Sequence, residues 1–192
     1  MIMRSLFSLS IREHKTQSDA SNFTFRILYE KGLRKKYVNM VQHAIKVLLN
    51  RFVRDKARLF TIETKVIPCG ICGIELLKTI LKTLLFSHER KDFLVLLLNR
   101  KRMDMPGSGS LFGFPIVGSK MVLIATKGPS YEDLHKVVYH EIAESLWIRH
   151  CKNATCYMFA PDYTNLKRYE NKRSFCSRCN RILMGRIKGL LS

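Results

Sequence analysis

Nowhere in the chain do about eighteen apolar residues follow one another, which argues against a membrane-spanning helix. No Gly-Lys-Ser or Gly-Lys-Thr triplet occurs, and Gly107, Gly109, Gly113 and Gly118 are not spaced as a dinucleotide-binding turn. Nucleotide chemistry of the P-loop or Rossmann kind therefore has no support. Acidic residues are scarce: 15 stand against 34 lysines and arginines, for a net charge of +19. Such a balance favours anionic partners, whether nucleic acid, an acidic membrane surface or an acidic peptide. No compact aromatic-and-basic motif or recognition-helix pattern accompanies the charge, so weak, salt-dependent nucleic-acid contact is expected at most. A clean secretory signal is also missing. The cysteines are accordingly expected to be reduced and the protein cytoplasmic. Residues 1–15 combine bulky apolar side chains with Arg4 and Arg12, so a first strand and an organellar targeting segment both stand as readings.

What is present is enough for one core: 192 residues, 46% of them hydrophobic. Alternation predicts strands at 23–28 and 59–67. Between them Val38, Val41, Ile45, Leu48, Leu49 and Phe52 recur at helical spacing over 34–54, with Lys35, Lys36, Lys46, Arg51 and Arg54 on the other face. His43 reads as an ordinary helix residue. A mostly apolar helix is expected at 74–86, and the unbroken run Phe93 to Leu98 as a strand buried on both faces. Residues 106–110 read as a flexible bend, followed by strands over 111–115 and 117–125. Ser130, with Glu132 and Asp133 after it, starts a helix that runs to about 146. A short basic helix closes the chain from about 178. The order of the first units predicts an α/β fold with a mostly parallel sheet.

Four of the six cysteines fall within 151–179. Cys176-Ser-Arg-Cys179 is a knuckle that turns two thiolates toward one point, and Cys151 and Cys156 form a wider pair. Two such pairs suit one tetrahedral structural zinc, and basic neighbours such as Lys152 and Arg178 favour the thiolates. Disulfides or plain buried thiols are the alternatives. The other pair, Cys69 and Cys72, is open between a redox pair, half a metal site and an ordinary strand-to-helix joint.

His140-Glu141 opens like H-E-x-x-H, the helical motif in which two histidines hold zinc and the glutamate works on water. Here the fifth residue is Glu144. It lies on the same helix face as His140, and carboxylate is a legitimate zinc ligand. His150 follows ten residues after His140, the third-ligand spacing of H-E-x-x-H-x-x-G-x-x-H, with Trp147 at the glycine place.

From His140 the chain reads H-E-x-x-E-x-x-W-x-x-H-C-x4-C-x-M-x16-F-C-x-x-C. This resembles the archaemetzincins, a family of small zinc metallopeptidases with a second, four-cysteine zinc site. The close match covers about a quarter of the chain. The resemblance implies a metzincin-like α+β fold, with the sheet and active-site helix in 1–150 and a zinc-stapled subdomain in 151–192. It places His140 and His150 at zinc-ligand positions, Glu141 at the general-base position and Met158 at the methionine turn. Cys151, Cys156, Cys176 and Cys179 fall at the structural-zinc positions. One structural zinc, a second zinc at the active site and a peptide substrate are what it implies. Gly113-Phe114 and the strand M-V-L-I-A at 121–125 resemble the family's glycine-phenylalanine pair and the antiparallel edge strand after it, which borders the cleft and offers backbone groups to an extended peptide. Tyr157 and Tyr163 are candidates to donate to the oxyanion.

Glu144 and Trp147 depart from the family pattern. A carboxylate in place of imidazole lowers the positive charge at the metal. A slow or altered peptidase, a metal-binding but inactive relative and an empty pseudoenzyme all fit that change. The helix must also stop before His150. If it continued, His150 would point about 80° away from His140 and lie about 15 Å along the axis. The expectation is that His140, Glu144 and His150 converge, with Trp147 either strained, at roughly 1–2 kcal/mol for a left-handed residue with a Cβ, or the helix end reshaped around it.

Overall fold

The computed structural model describes residues 23–50, 60–67, 93–105, 109–116, 120–160 and 171–191. The readings of residues 1–22, of the helix at 74–86, and of Phe52, Arg51, Arg54, Cys69, Cys72 and Tyr163 lie outside them.

Five strands form the main sheet: β1 (Phe23–Glu30), β2 (Phe60–Ile67), β3 (Phe93–Leu98), β6 (Gly113–Ile116) and β7 (Met121–Ala125). Their order is β2-β1-β3-β7-β6. The first four run parallel, and β6 pairs antiparallel with β7 at one edge. The expected mostly parallel sheet with an antiparallel edge strand is what the chain forms. Gly109 and Ser110, read as part of a bend, instead belong to β5 (Gly109–Leu111), which pairs antiparallel with β4 (Met103–Met105); residues 106–108 lie outside the described residues.

Strand β3 shows why the sheet is well anchored. All six of its residues are buried. Phe93, Val95 and Leu97 face one apolar cluster, while Leu94, Leu96 and Leu98 face another on the opposite side. The first cluster includes the inner faces of α1 (Lys35–Asn50) and α2 (Tyr131–Ser145). The residues that recur at helical spacing, Val38, Val41, Ile45, Leu48 and Leu49 on α1 and Leu134, Val137, Val138 and Ile142 on α2, are all buried there. Lys35, Lys36, Lys46 and His43 stay exposed on the outer face of α1. The same cluster continues into Tyr157, Met158 and Phe175 and into Leu183 and Ile187 of α3 (Ser177–Leu191). No helix among the described residues is long and apolar enough to cross a membrane.

Two polar devices fix the ends of these elements. Ser130 caps α2, its Oγ accepting from the Asp133 amide at 3.0 Å. Glu30, buried at the end of β1, accepts from the Asn99 amide at 2.6 Å and pairs with Arg100 at 3.4 Å. That pair pins the chain where it leaves β3.

Leu96→Ala, in the fully buried centre of the sheet, should cost about 2–5 kcal/mol in urea unfolding with zinc present. Val66→Thr on the exposed side of β2 should stay within about 0.5 kcal/mol. Equal losses at the two positions would contradict this placement of the core.

Candidate metal centres

The site depends on how α2 ends. Its last helical residue is Ser145, and Leu146 is the C-cap. Trp147 then takes φ +65°, the left-handed region. The Trp147 amide donates to the Glu144 carbonyl at 2.8 Å, and the Ile148 amide donates to the Ala143 carbonyl at 3.0 Å. This pair of bonds is a Schellman motif, with tryptophan where glycine is usual. Ile148 is buried against the helix end, which supplies the motif's hydrophobic contact, while Trp147 is 61% exposed. The helix stops as expected, and a residue with a Cβ carries the strain.

The turn brings His150 back over α2. One donor atom each from His140, Glu144 and His150 lies within 4.8 Å of the others. The two imidazoles stack with centroids 5.1 Å apart. Glu144 Oε1 is 3.6 Å from His140 Nε2 and bonds to His150 Nε2. His140 is almost fully buried, and its Nδ1 lies 2.7 Å from the Tyr157 carbonyl oxygen. A carbonyl only accepts, so Nδ1 carries the proton and the Nε2 lone pair is turned toward Glu144. Two electron-rich groups facing each other call for a cation between them. The donor set of two imidazoles and a carboxylate fits zinc, and the bond behind His140 is the usual outer partner of a ligating histidine.

Glu141 is buried beside this group, against the edge strand. A Cβ on Gly113 would collide with the Glu141 side chain, so glycine at 113 leaves the room in which that carboxylate sits. The antiparallel edge strand is β6, which holds Gly113 and Phe114 themselves; the strand Met121–Ala125, expected to form that edge, is β7, which lies inside the sheet and runs parallel to β3. The Ala125 amide donates to the Phe112 carbonyl, so antiparallel alternation turns the backbone groups of Gly113 and Pro115 away from β7. Pro115 has no N–H, and the outer edge loses one donor for an incoming strand. Pro115, Glu144, Trp147, Ile148, Arg149 and His150 line an open cleft of about 450 Å³.

The second group is Cys151, Cys156, Cys176 and Cys179, with sulfurs within 4.8 Å of one another and no disulfide among them. Cys156 Sγ accepts from the amides of Cys176 at 3.3 Å and Met158 at 3.4 Å. Burial pushes the Cys156 thiol up to about 11 and raises Cys179 further. The hydrogen bond from the Cys179 backbone holds Cys176 down at about 7. Amide-to-sulfur bonds of this kind stabilise thiolates, and four thiols so close are the donor set of a structural zinc.

The two groups are joined. The Cys151 amide donates to the Met158 carbonyl at 3.0 Å, and Met158 is fully buried. Cys156 bridges Ser174, and the Tyr157 amide donates to the Ser174 carbonyl at 2.9 Å. The Tyr157 phenol donates to the Arg173 carbonyl at 2.7 Å, so it is committed to the backbone rather than aimed at an oxyanion. The part Tyr157 plays comes instead from its carbonyl, which also accepts from the buried Lys172 ammonium at 2.9 Å. The sequence held no signal for that, because a main-chain oxygen has no residue type.

A parallel sheet, an antiparallel edge strand, a helix that carries His140 and Glu144 and is ended by a tight turn, and a four-cysteine cluster together make an archaemetzincin-like fold. The archaemetzincin of Methanopyrus kandleri superposes with a TM-score of 0.69 at 17% identity, over 89% of this chain and 98% of that one. A zinc-dependent peptidase from Methanocorpusculum labreanum gives 0.63 at 13% identity, over 83% and 99%. Metalloproteinase-II from Bacteroides fragilis gives 0.56 at 15%, over 88% of this chain and 54% of that one. At these identities the likeness is one of fold. No family model matches the sequence, and no curated protein does.

Two outcomes check these centres. Cys176→Ser should lower zinc content by one ion per chain and the melting temperature with it; full zinc retention would refute the four-cysteine assignment. Trp147→Gly should raise stability by about 0.5–1 kcal/mol, the relieved left-handed strain less the extra chain entropy of glycine. A loss of stability in that variant would mean that contacts of the indole, not the backbone, hold the turn.

Proposed function

We propose that the chain is a zinc metallopeptidase of archaemetzincin type, altered in rate by Glu144 and Trp147. The observation that supports this most is the convergence of His140, Glu144 and His150 beside buried Glu141. In this reading residues 1–150 carry the cleft, and 151–192 form the subdomain stapled by a zinc on Cys151, Cys156, Cys176 and Cys179. A second zinc, held by His140, Glu144 and His150, would supply Lewis acidity to a scissile carbonyl and to water.

The remaining steps belong to the chain. An extended peptide pairs with the outer edge of β6 through the Gly113 backbone and the Pro115 carbonyl. Glu141, packed at Gly113 next to that edge, takes a proton from water and passes it to the leaving amine. Met158 closes the floor beneath the ligands. Glu144 donates negative charge where the family has a neutral imidazole, which lowers the electrophilic pull on the substrate carbonyl and slows the reaction.

Metal counting on purified protein tests this. Wild type should hold two zincs per chain, and Glu144→Ala should hold one, with the four-cysteine ion retained. Glu144→His should tighten the second ion and raise hydrolysis of an unstructured peptide, and Glu141→Gln should abolish hydrolysis while two zincs remain. A single zinc in wild type, unmoved by Glu144→Ala, would leave a zinc-stabilised fold without peptidase chemistry.

A further inference from the structure

Lys172 is only 2% exposed. Lysine is among the residues least often fully buried, because desolvating an ammonium is costly, so a buried one needs a reason. Its Nζ donates to the Tyr157 carbonyl at 2.9 Å, and the same oxygen lies 2.7 Å from Nδ1 of His140. A carbonyl oxygen has two lone pairs, and here one serves each donor. The line continues from His140 Nε2 to Glu144 at 3.6 Å, and Glu144 bonds to His150.

The position of the ammonium is not accidental to a loose tail. The Arg173 amide donates to the Thr155 carbonyl at 3.0 Å, and the Tyr157 amide donates to Ser174 at 2.9 Å. Segments 155–157 and 172–174 are therefore laced together, between Cys156 on one side and Cys176 on the other. The lacing sets the Lys172 backbone beside Tyr157, within reach of its carbonyl.

We infer that Lys172 is a positioning residue for the His140 site: it clamps the Tyr157 carbonyl and thereby fixes the ring orientation and tautomer of His140. The inference rests on the metallopeptidase reading for the identity of the ion, but the clamp itself is a property of the chain. Nothing in the sequence motif from His140 to Cys179 marks position 172. Outer partners of metal-binding histidines typically change metal affinity by roughly 10–100-fold when removed.

Two readouts on the full chain, with the four-cysteine zinc in place, test the clamp. The first is the solvent exchange of the His140 Nδ1 proton, followed by NMR and assigned by its loss in His140→Gln. Lys172→Met should speed that exchange about tenfold, and Lys172→Arg should slow it back toward wild type. The second is zinc competition at the second site, where Lys172→Met should weaken binding by about tenfold. Backbone amide protection elsewhere should be unchanged. Unchanged Nδ1 exchange in Lys172→Met would overturn the inference, as would a loss of protection spread over the whole chain in both variants. If wild type binds no second zinc, the peptidase reading fails by itself, and the exchange measurement still decides the clamp.

Discussion

Everything at the site depends on the chain reversing within one residue after α2. His140 and Glu144 are set one helical turn apart by the helix itself, but His150 and Cys151 must leave that axis at once, in two directions. The reversal is made by a left-handed Trp147 and closed by two backbone bonds to Ala143 and Glu144. Tryptophan is a poor residue for this backbone, since its Cβ crowds the following carbonyl. The turn persists because both of its sides are held. Ile148 is buried against the helix end, and Cys151 is gathered with three other cysteines while its amide bonds to Met158.

The residue between the two metal groups is Tyr157. Its amide and phenol tie it to 173–174, in the cysteine-rich subdomain, and its carbonyl faces back to His140. A short segment with few apolar residues is hard to order by burial alone, and four cysteines within metal-binding distance could supply, through a zinc, what burial does not. Order in the cysteine cluster is thereby passed to the imidazole through a single main-chain oxygen. The two clusters of potential ligands are thus tied to each other through Tyr157.

The outer edge of β6 is shaped by two residues. Gly113 leaves space for the buried Glu141 side chain. Pro115 sits where its missing N–H faces outward, so the edge keeps its acceptors but loses a donor. Proline at such a place also protects an exposed strand from pairing with other chains. Glu144, Trp147 and Pro115 all line one cleft.

The sequence by itself determined the elements and the donor types. Helical spacing marked the buried faces of α1 and α2, the unbroken apolar run marked a strand covered on both sides, and cysteine spacing marked the four-sulfur cluster. Those signals are local: each is a period or an offset of a few residues, and side-chain burial enforces it. The pairing of β4 with β5 escaped, because three-residue strands carry too little alternation to show when the partner is unknown. Only the tertiary structure decided that Trp147 adopts the left-handed turn, since propensity opposed it and the burial of Ile148 and the pull of Cys151 prevailed. Only it decided that the Tyr157 phenol is spent on Arg173 while its carbonyl joins His140 to Lys172. Such a contact is made by a backbone oxygen and a buried ammonium brought together across a gap in sequence, and no spacing rule records where a folded chain will place them.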